Sequence, residues 1–286
     1  MSMQKSNGTI LVTGASGKTG SRVCAMLQQR GKDVRAVSRK SILPFDWNEK
    51  GTWDNALQGV GAVYIVHPGL GVTEATQQVR DFAQAAARAG AKKAVLASTP
   101  DDGSDFSMAM RAAEQHIVEA GLSLTSLRLR WFFQNFSEDF LLQPVRSGAL
   151  RLPAGNGKEA FVDADDIAEV AVAALTDERH NGKSYDLTGP RSLSFEEIAD
   201  EIRRGAGHDV KYVPLDPADY VAEQVAQGVP EDWAQMLVPI YQDIAHGKVG
   251  AVSTDIESVL GKPARDFSEF VANVARDGAW SGGHSR

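Results

Sequence analysis

The sequence predicts an α/β fold, built on a doubly wound parallel sheet and followed by a smaller, mainly helical C-terminal lobe. Two observations carry this prediction. Short apolar segments alternate with stretches of helical periodicity through the first half of the chain, and a glycine-rich turn follows the first of these segments directly. After Phe136 the pattern changes to turn-rich stretches and amphipathic helices, which indicates a separate lobe.

Six short strands are expected in the first part, joined by helices in right-handed crossovers. The strands are expected at residues 9–12, 34–37, 43–46, 62–66, 93–97 and 122–129. Four helices are expected between these strands. The first ends at Gly31, and the second follows a Thr52 N-cap and contains Trp53 and Leu57. The third runs from Thr73 to Arg88 and the fourth from Phe106 to Ala120.

The second part predicts a helix over 163–175, short strands near 184–187 and 211–213, and helices near 217–227 and 231–247. Ser194 and Glu197 have the spacing of a capping box, so another helix should begin there. We therefore expect a sheet domain over 8–180, with an excursion on the substrate side at about 133–160, and a small substrate-binding lobe over 181–286. Doubly wound proteins bind substrate at the carboxyl ends of their strands, where this lobe is expected to lie.

Charge and composition argue against several classes of protein. The formal net charge is −7 and basic residues cluster only in pairs, so no nucleic-acid partner is expected. The single cysteine, Cys24, excludes an intramolecular disulfide and favours a reducing cytoplasm. No stretch reaches about 18 apolar residues and the start is polar, so neither a membrane span nor a signal peptide is expected. Asp163, Asp165 and Asp166 suit the positive end of a helix, and we expect no metal.

Gly14, Gly17 and Gly20 are spaced three residues apart, directly between the first strand and the first helix. Such glycines permit a tight turn, the close approach of backbone to a pyrophosphate and close packing of the helix on the sheet. The stretch therefore predicts an NAD(P)-binding Rossmann fold with the phosphates over the helix N-terminus. Ser16 and Thr19 belong to the same expected phosphate-binding set.

The second strand ends in Ser38, Arg39 and Lys40, with no acid. NAD-binding proteins place Asp or Glu there for the ribose 2′-hydroxyl, whereas a 2′-phosphate needs cations. Ser38 and Arg39 can hold that phosphate by charge-assisted hydrogen bonds and Lys40 adds charge, so NADP(H) is the expected cofactor. Lys18, at the positive end of the first helix, would be neutralised by bound phosphate. The alternative is that Lys18, Arg39 and Lys40 are solvated surface charges.

Asp46 and Trp47 follow the third expected strand. In a dinucleotide-binding fold they would lie beside the adenine. The alternative is that Trp47 only covers the edge of the sheet.

Longer motifs are similar to those of the NmrA-like, atypical short-chain dehydrogenase families: TGASGKTG, FDW at 45–47, LRLRWFFQNF, FVDADDIAEVAVAALTD and YDLTGP at 185–190. The similarity runs over nearly the whole chain. Within that group the chain most resembles the ergot-alkaloid biosynthesis reductases, of the festuclavine and agroclavine dehydrogenase type, through FDWNEKGTWDNAL, WFFQNFSEDF, GVPEDWAQML and GKPARDFSEF. The substrate does not follow, because sites vary within one fold.

The resemblance implies NADP(H) at the glycine turn and at Arg39. It also implies that the ends of three strands, at 66–68, 98–99 and 131–133, surround the nicotinamide. The implied cofactor-binding set therefore includes His67, Pro68, Ser98, Trp131 and Phe133. His67, Ser98 and Phe133 are the candidates for catalytic residues.

Typical short-chain dehydrogenases carry a Tyr-x-x-x-Lys pair, whose tyrosine donates a proton as hydride arrives. Between Pro100 and Gly121 this chain has neither residue. The nearest pair at that spacing is Ser107 and Arg111, but a serine hydroxyl is a poor acid at neutral pH, and Arg111 can instead be a charge on the helix face or a phosphate contact. An iminium acceptor needs no proton after hydride transfer, and a quinone gives a stabilised phenolate, so both acceptors fit the absence.

His67 is the plausible acid near the ring, because it ends a strand where substrate should enter and its ordinary pKa is about 6.5. It can equally be structural, held by Pro68. Trp131 and Phe133 are candidates to stack on a flat or cationic substrate, whereas Phe132 and Phe136 are expected in the core.

Two functions remain open from the sequence. The first is an NADPH-dependent reductase of a small unsaturated molecule, with an imine or iminium acceptor favoured and a quinone or conjugated carbonyl next. The second is an NADP(H)-binding redox sensor that regulates a partner protein without turnover, which fits the missing tyrosine and lysine. Trp233 and Tyr241, on a helix that could line a pocket, favour the enzyme.

Overall fold

The computed structural model describes residues 8–69 and 72–280. These residues form two compact units. Unit 1 takes the described residues up to 129, together with Ala164–Leu187 and Asp255–Lys262. Unit 2 takes Arg130–Asp163, Thr188–Thr254 and 263–280. No helix within the described ranges is both long and apolar enough to cross a membrane.

The strands are β1 (Thr9–Val12), β2 (Val34–Ala36), β3 (Val60–Ile65), β4 (Lys93–Ser98), β5 (Ser123–Leu129), β6 (Ala149–Leu152), β7 (Lys158–Glu159), β8 (Ser184–Leu187), β9 (Leu193–Ser194) and β10 (Lys211–Pro214). The helices are α1 (Lys18–Gln29), α2 (Trp53–Leu57), α3 (Thr73–Arg88), α4 (Asp105–Glu119), α5 (Asn135–Glu138), α6 (Leu142–Arg146), α7 (Ala164–Thr176), α8 (Phe195–Ala206), α9 (Pro217–Ala226), α10 (Glu231–Ala245), α11 (Asp255–Leu260) and α12 (Phe267–Arg276). Short 3-10 turns span Lys50–Thr52 and Glu178–His180.

Unit 1 contains a six-stranded parallel sheet in the order β2-β1-β3-β4-β5-β8. The order reverses at β1, which makes the sheet doubly wound, as predicted. Helices α1 and α7 pack together, as do α3 and α4, and right-handed crossovers place these two pairs on opposite faces of the sheet.

One predicted strand is absent from this sheet and another replaces it. The segment 43–46 makes only a single bridge, between Ser38 and Pro44, because proline has no N–H to donate to a ladder. The next residue, Phe45, is buried instead in the core between the sheet and α3. The sixth strand is β8, which the sequence places in the C-terminal lobe.

The predicted domain boundary after residue 180 therefore differs from the boundary between the two units, because unit 1 continues to Leu187. β8 pairs with β5 from Ser126↔Ser184 to Leu129↔Leu187, so the chain returns to unit 1 beyond that boundary. A second return is made by α11, whose Asp255 carboxylate accepts a hydrogen bond from the backbone N–H of Asp186 at 2.8 Å. Hydrogen bonding to β5 and to β8 explains why both segments belong to unit 1.

Unit 2 is mostly helical, with two two-stranded sheets, β6–β10 (parallel) and β7–β9 (antiparallel). Its core is rich in aromatic side chains, among them Phe133, Phe136, Phe161, Phe195, Tyr241 and Phe267. The predicted capping box is confirmed: the Ser194 hydroxyl accepts from the N–H of Glu197 at 3.2 Å, and the Glu197 carboxylate accepts from the N–H of Ser194 at 2.8 Å.

Candidate functional site

The glycine turn of unit 1 is crowded at all three glycines and leaves no room for a side chain at Gly20. Gly14 has a φ of +60°, and a Cβ there would lie 3.1 Å from the Cβ of Val66. A Cβ on Gly20 would lie 2.2 Å from the carbonyl oxygen of Gly14, which no backbone could tolerate without moving. Gly17 lies between them and donates its N–H to the same oxygen at 2.9 Å. The first turn of α1 is therefore pressed against the end of β1, as phosphate-binding turns of this type require.

Thr13 fixes this turn to the neighbouring strand. Its hydroxyl accepts from the N–H of Val66 at 2.9 Å and lies 3.1 Å from the carbonyl of Tyr64. On the other side, the N–H of Ala15 donates to the carbonyl of Val37 at 3.2 Å. The turn is thus held at the point where the strand order reverses, which is where doubly wound sheets bind ligands.

The N-terminus of α1 has no side-chain cap. Gly17 is the residue at the N-cap position, and no acid lies in the first turn. Lys18, half-buried, is the first residue of the helix, Thr19 is buried and Ser16 is exposed. Because unsatisfied N–H groups and the helix dipole both favour a negative charge, this end of α1 can hold an anion.

The cations predicted at the end of β2 lie on the surface of unit 1. Ser38 is half-buried, and its hydroxyl accepts from the backbone N–H of Lys40 at 3.3 Å. The side chains of Arg39 and Lys40 are exposed, and they make no hydrogen bond or ion pair with any described residue. Two positive charges are therefore available beside a strand end that carries no acid.

Trp47 belongs to an aromatic cluster rather than to the surface. Its side chain is 8 % exposed, and its ring centroid lies 5.0 Å from that of Phe45, 5.0 Å from that of Phe82 and 4.5 Å from that of His67. Trp47 thus covers the sheet, as the alternative interpretation expected. Asp46 is half-buried, and contact of this pair with an adenine stays a prediction.

His67 has both ring nitrogens engaged within unit 1. The N–H of Gly69 donates to Nδ1 at 3.1 Å, so Nε2 carries the proton, and it lies 2.7 Å from Oε1 of Gln78. The Gln78 amide in turn donates to Oδ1 of Asn48 at 2.8 Å. Burial lowers the pKa of His67, and the hydrogen bond to Gln78 only partly opposes this effect. The geometry therefore describes a neutral imidazole with no spare N–H, whereas Pro68 beside it is exposed.

Ser98 is the centre of a buried polar group at the end of β4. Its hydroxyl donates to Oε1 of Glu114 at 2.7 Å and accepts from Nη2 of Arg111 at 2.7 Å. The same Nη2 lies 2.7 Å from the carbonyl of Thr99 and 2.9 Å from the Glu114 carboxylate. The hydroxyl proton of Ser98 is thus used in the hydrogen bond to the Glu114 carboxylate. Sequence reasoning missed the role of Glu114, although its i, i+3 spacing from Arg111 was a usable signal.

Ser107 and Arg111 do not form the substitute proton-donor pair that the sequence allowed. Ser107 is fully buried in the first turn of α4, where its hydroxyl donates to the carbonyl of Ser104 at 3.0 Å and its N–H donates to the Ser104 hydroxyl at 3.1 Å. The Arg111 guanidinium bonds Ser98 and Thr99 instead. Ser107 is therefore part of the helix cap.

The remaining members of the implied set, Trp131 and Phe133, belong to unit 2. Phe133 is 1 % exposed, with its ring centroid 5.0 Å from that of Phe267, so it is a core residue. Phe136 is in the core as predicted, but the prediction for Phe132 is wrong, since it is only half-buried. The chain pairs here with 161–163, and this pairing turns alternate side chains inward. Trp131 is half-buried, with its ring centroid 5.2 Å from that of Tyr241.

Two further aromatic residues of α10 lie on different faces of the helix. Tyr241 is fully buried, whereas Trp233 is 51 % exposed. Tyr241 is therefore a core residue of unit 2, and that α10 lines a pocket stays a prediction.

Glu159 of unit 2 is a site feature that sequence reasoning missed. It is 2 % exposed, and its Oε1 has no hydrogen-bond partner among the described residues. Burial raises the pKa of Glu159 to about 7, although the charge of Arg130 opposes this shift. Glu159 is therefore a carboxyl group of unit 2 whose pKa lies near neutral pH.

Comparison with known proteins gives relatives over almost the whole chain. An uncharacterized oxidoreductase, YesF, of Bacillus subtilis (strain 168) is 34% identical over 280 residues, which are 94% of this chain and 96% of that protein. Agroclavine dehydrogenase of Claviceps fusiformis is 30% identical over 285 residues, 93% of this chain and 96% of that protein. The resemblance to the clavine dehydrogenases is thereby confirmed at the level of sequence.

The fold is shared with solved structures as well. The NADPH-dependent quinone oxidoreductase of Escherichia coli, solved in complex with NADPH, superposes with a TM-score of 0.80 at 24% identity, over 93% of this chain and 99% of that one. This likeness confirms the predicted doubly wound fold. The model of the NmrA-like family matches residues 6–271. The chain belongs to the NmrA-like family.

Proposed function

We propose that this protein is an NADPH-dependent reductase that transfers hydride to a small unsaturated acceptor, with an imine or iminium favoured and a quinone or conjugated carbonyl next. The proposal rests on the N-terminus of α1. A tight glycine turn, a helix N-terminus without a side-chain cap and two exposed cations at the end of β2 all lie in unit 1. The names of the relatives, an oxidoreductase and agroclavine dehydrogenase, agree with it.

The residues of the turn fit a dinucleotide. The approach of Gly20 to the carbonyl of Gly14 leaves backbone N–H groups, not side chains, at the head of the helix, which suits a pyrophosphate. In the proposal Gly14, Ser16, Gly17, Lys18, Thr19 and Gly20 hold the pyrophosphate. Ser38, Arg39 and Lys40 hold the 2′-phosphate, and their charge makes NADP(H) the preferred cofactor over NAD(H). Asp46 borders the adenine, with Trp47 behind it.

A bound nicotinamide supplies the hydride, and the chain supplies orientation and a dry site. His67 and Ser98 have their donors committed to Gln78 and Glu114, so we assign them positioning roles beside the ring instead of proton donation. Phe133 supports the fold of unit 2 from its core. Trp131, which is only half-buried, is the aromatic surface that we assign to a flat or cationic substrate.

An acceptor that needs no proton at the moment of hydride transfer fits this arrangement. Hydride added to an iminium carbon forms a C–H bond, and the C=N π electrons become the nitrogen lone pair of a neutral amine. A quinone accepts hydride to give a hydroquinone anion, which solvent protonates afterwards. Either product forms without a group that stands in for tyrosine and lysine.

Transfer of label tests the proposal. NADPH that carries deuterium on the transferred C4 position is incubated with a cyclic iminium salt, and in parallel with a simple quinone. For the iminium salt, the expected result is one deuterium on the former iminium carbon, found by mass spectrometry. Turnover with unlabelled product in the iminium reaction would contradict direct hydride transfer. For the quinone, the hydroxyl groups of the hydroquinone exchange their hydrogens with water and the label is lost, so the readout is stoichiometric NADPH oxidation.

The second candidate is a redox sensor that binds NADP(H) without turnover. The N–H of His67 and the O–H of Ser98 are already used in hydrogen bonds to Gln78 and Glu114. Neither group is then free to act as the proton donor beside the nicotinamide, which favours the sensor. Comparison of NADPH and NADP⁺ in partner-capture experiments separates the two candidates. A sensor shows cofactor-dependent binding of a partner and no label transfer.

A further inference from the structure

Three side chains lie next to one another on the face of the unit 1 sheet that α4 covers. Ser98 of β4 is the register partner of Arg128 of β5, and Arg128 is the register partner of Asp186 of β8. Register partners in a parallel sheet point to the same face. Arg111 of α4 bonds Ser98 directly, so it belongs to this same polar group.

This group contains buried donors without acceptors. Nε and Nη1 of Arg111 and Nε of Arg128 are buried and have no hydrogen-bond partner among the described residues. On the same row of register partners, the acceptor in the same condition is Oδ1 of Asp186. Buried guanidinium N–H groups are normally paired, so three open donors against one open acceptor indicate that an acceptor is missing from the group.

A groove of about 620 Å³ lies beside α4, and Arg111 is one of the residues that line it. We call it the α4 groove; its lining includes Arg111 and Glu114 of α4, Ser126 of β5, and Lys183 and Ser184 at the start of β8. Ser126 and Ser184 are register partners two residues before Arg128 and Asp186, on the same face of the sheet. Two hydroxyls and the exposed Lys183 therefore line the groove together with Arg111.

The α4 groove is distinct from the glycine turn. The turn leads into α1, whereas the groove lies beside α4 on the opposite face of the sheet. An occupant of the groove would therefore not be the pyrophosphate or the 2′-phosphate of the proposed cofactor.

We propose that the α4 groove binds a small molecule carrying a phosphate or carboxylate group, with the oxyanion facing Arg111. A guanidinium offers several N–H donors in one plane and pairs with two oxygens of such a group at once. Ser126 and Ser184 donate further hydrogen bonds, and Lys183 attracts the anion at the mouth. Because Arg111 also bonds Ser98 at the end of β4, occupancy of the groove is coupled to the group that holds Ser98 in place.

Calorimetric titration tests this site, with inorganic phosphate as the probe and acetate in a parallel arm. The protein is saturated with NADPH in chloride buffer, so that phosphate cannot bind at the glycine turn. Ser184→Glu places a negative charge in the groove at an exposed position, and Ser147→Glu makes the same change at an exposed position of unit 2. We expect phosphate to bind the wild type and Ser147→Glu equally, and Ser184→Glu about tenfold or more weakly. If Arg128→Gln also binds phosphate more weakly while its circular dichroism is unchanged, Arg128 contributes to the same site.

An Arg39→Asp background keeps the test independent of the proposed cofactor. If NADPH fails to bind at all, the same phosphate titration in Arg39→Asp still reports on the groove. Phosphate binding that disappears with NADPH or Arg39→Asp, yet survives Ser184→Glu, would overturn the proposal, because the ion would then sit at the glycine turn or at the proposed 2′-phosphate site. Absence of phosphate and acetate binding in the wild type would overturn it as well. Binding of acetate but not of phosphate would assign the groove to carboxylates.

Discussion

Gly20 lies so close to Gly14 that a Cβ on Gly20 would be 2.2 Å from the Gly14 carbonyl oxygen and 2.8 Å from its carbon. Both contacts are with backbone, so no side-chain rotation can relieve them. In an exposed helix, alanine is favoured over glycine by about 1 kcal/mol, but here the contact outweighs that propensity.

Gly20→Ala is therefore expected to lower the free energy of unfolding by about 2 kcal/mol and to abolish NADPH binding, because the turn must move. Gly51→Ala is the matched control, since a Cβ there meets nothing within 4 Å. Denaturant unfolding and a fluorescence titration with NADPH measure both effects. Normal NADPH binding by Gly20→Ala would show that the turn is not the cofactor site.

Arg39→Asp is expected to weaken NADPH binding far more than NADH binding. The substitution removes the cation proposed for the 2′-phosphate and supplies the acid that a ribose 2′-hydroxyl prefers. Lys32→Asp is the charge-matched control at an exposed position on the loop before β2. Titration of each variant with both nucleotides gives the ratio of affinities. Equal losses for NADPH and NADH would remove Arg39 from the 2′-phosphate role.

His67→Gln is expected to keep quinone reduction within about tenfold of the wild-type kcat, because His67 has no free N–H to give and general acids contribute larger factors. Burial already lowers its pKa, so the neutral form is present in the folded protein at neutral pH. The kcat is measured from pH 5 to 9 for both proteins. His67 would be the proton donor if the kcat of His67→Gln were lower by about a hundredfold or more, and if the kcat of the wild type fell by the same factor at pH values above the pKa of His67.

Glu159→Gln is expected to stabilise the protein at pH 8 and to change its stability little at pH 4. Burial raises the pKa of Glu159 from 4.5 to about 7, so between these values the unfolded chain loses the proton while the folded chain retains it. Folding therefore becomes less favourable as the pH rises through this window, by on the order of 3 kcal/mol in total. Glutamine cannot ionise and removes this penalty.

Unfolding free energies of the wild type and Glu159→Gln, measured at pH 4, 6 and 8, check this expectation. Glu196→Gln is the control, because Glu196 is exposed. The difference between Glu159→Gln and the wild type should grow with pH, whereas that for Glu196→Gln should not. A constant difference would mean that Glu159 ionises normally in the folded protein.

The sequence predicted most of unit 1 because each of its strands carries a local signal. Apolar runs such as 62–66 and the glycine triplet determine a strand, a turn and a helix from neighbouring residues alone. Of the two errors in the sheet, the first overlooked a local signal and the second is non-local. Pro44 has no N–H for a ladder, and β8 joins the sheet through pairing with β5, which lies more than fifty residues earlier.

The candidate site divides in the same way. Gly14, Gly20 and Arg39 were recognised from spacing, and their geometry suits the predicted roles. The engagement of His67 by Gln78, and of Ser98 by Glu114, depends on side chains from other helices, so no local pattern showed it. Glu159 was missed because a single charged residue in a turn-rich stretch looks like surface, and only burial makes it unusual.

The most direct test of NADPH-dependent reduction by this protein is the rate of NADPH oxidation with a panel of cyclic iminium salts, quinones and conjugated ketones. We expect turnover by the wild type with at least one iminium salt or quinone, slower turnover with ketones, and loss of turnover in Gly20→Ala. Tight NADPH binding without oxidation by any acceptor in the panel would rule out this reductase activity and favour the sensor.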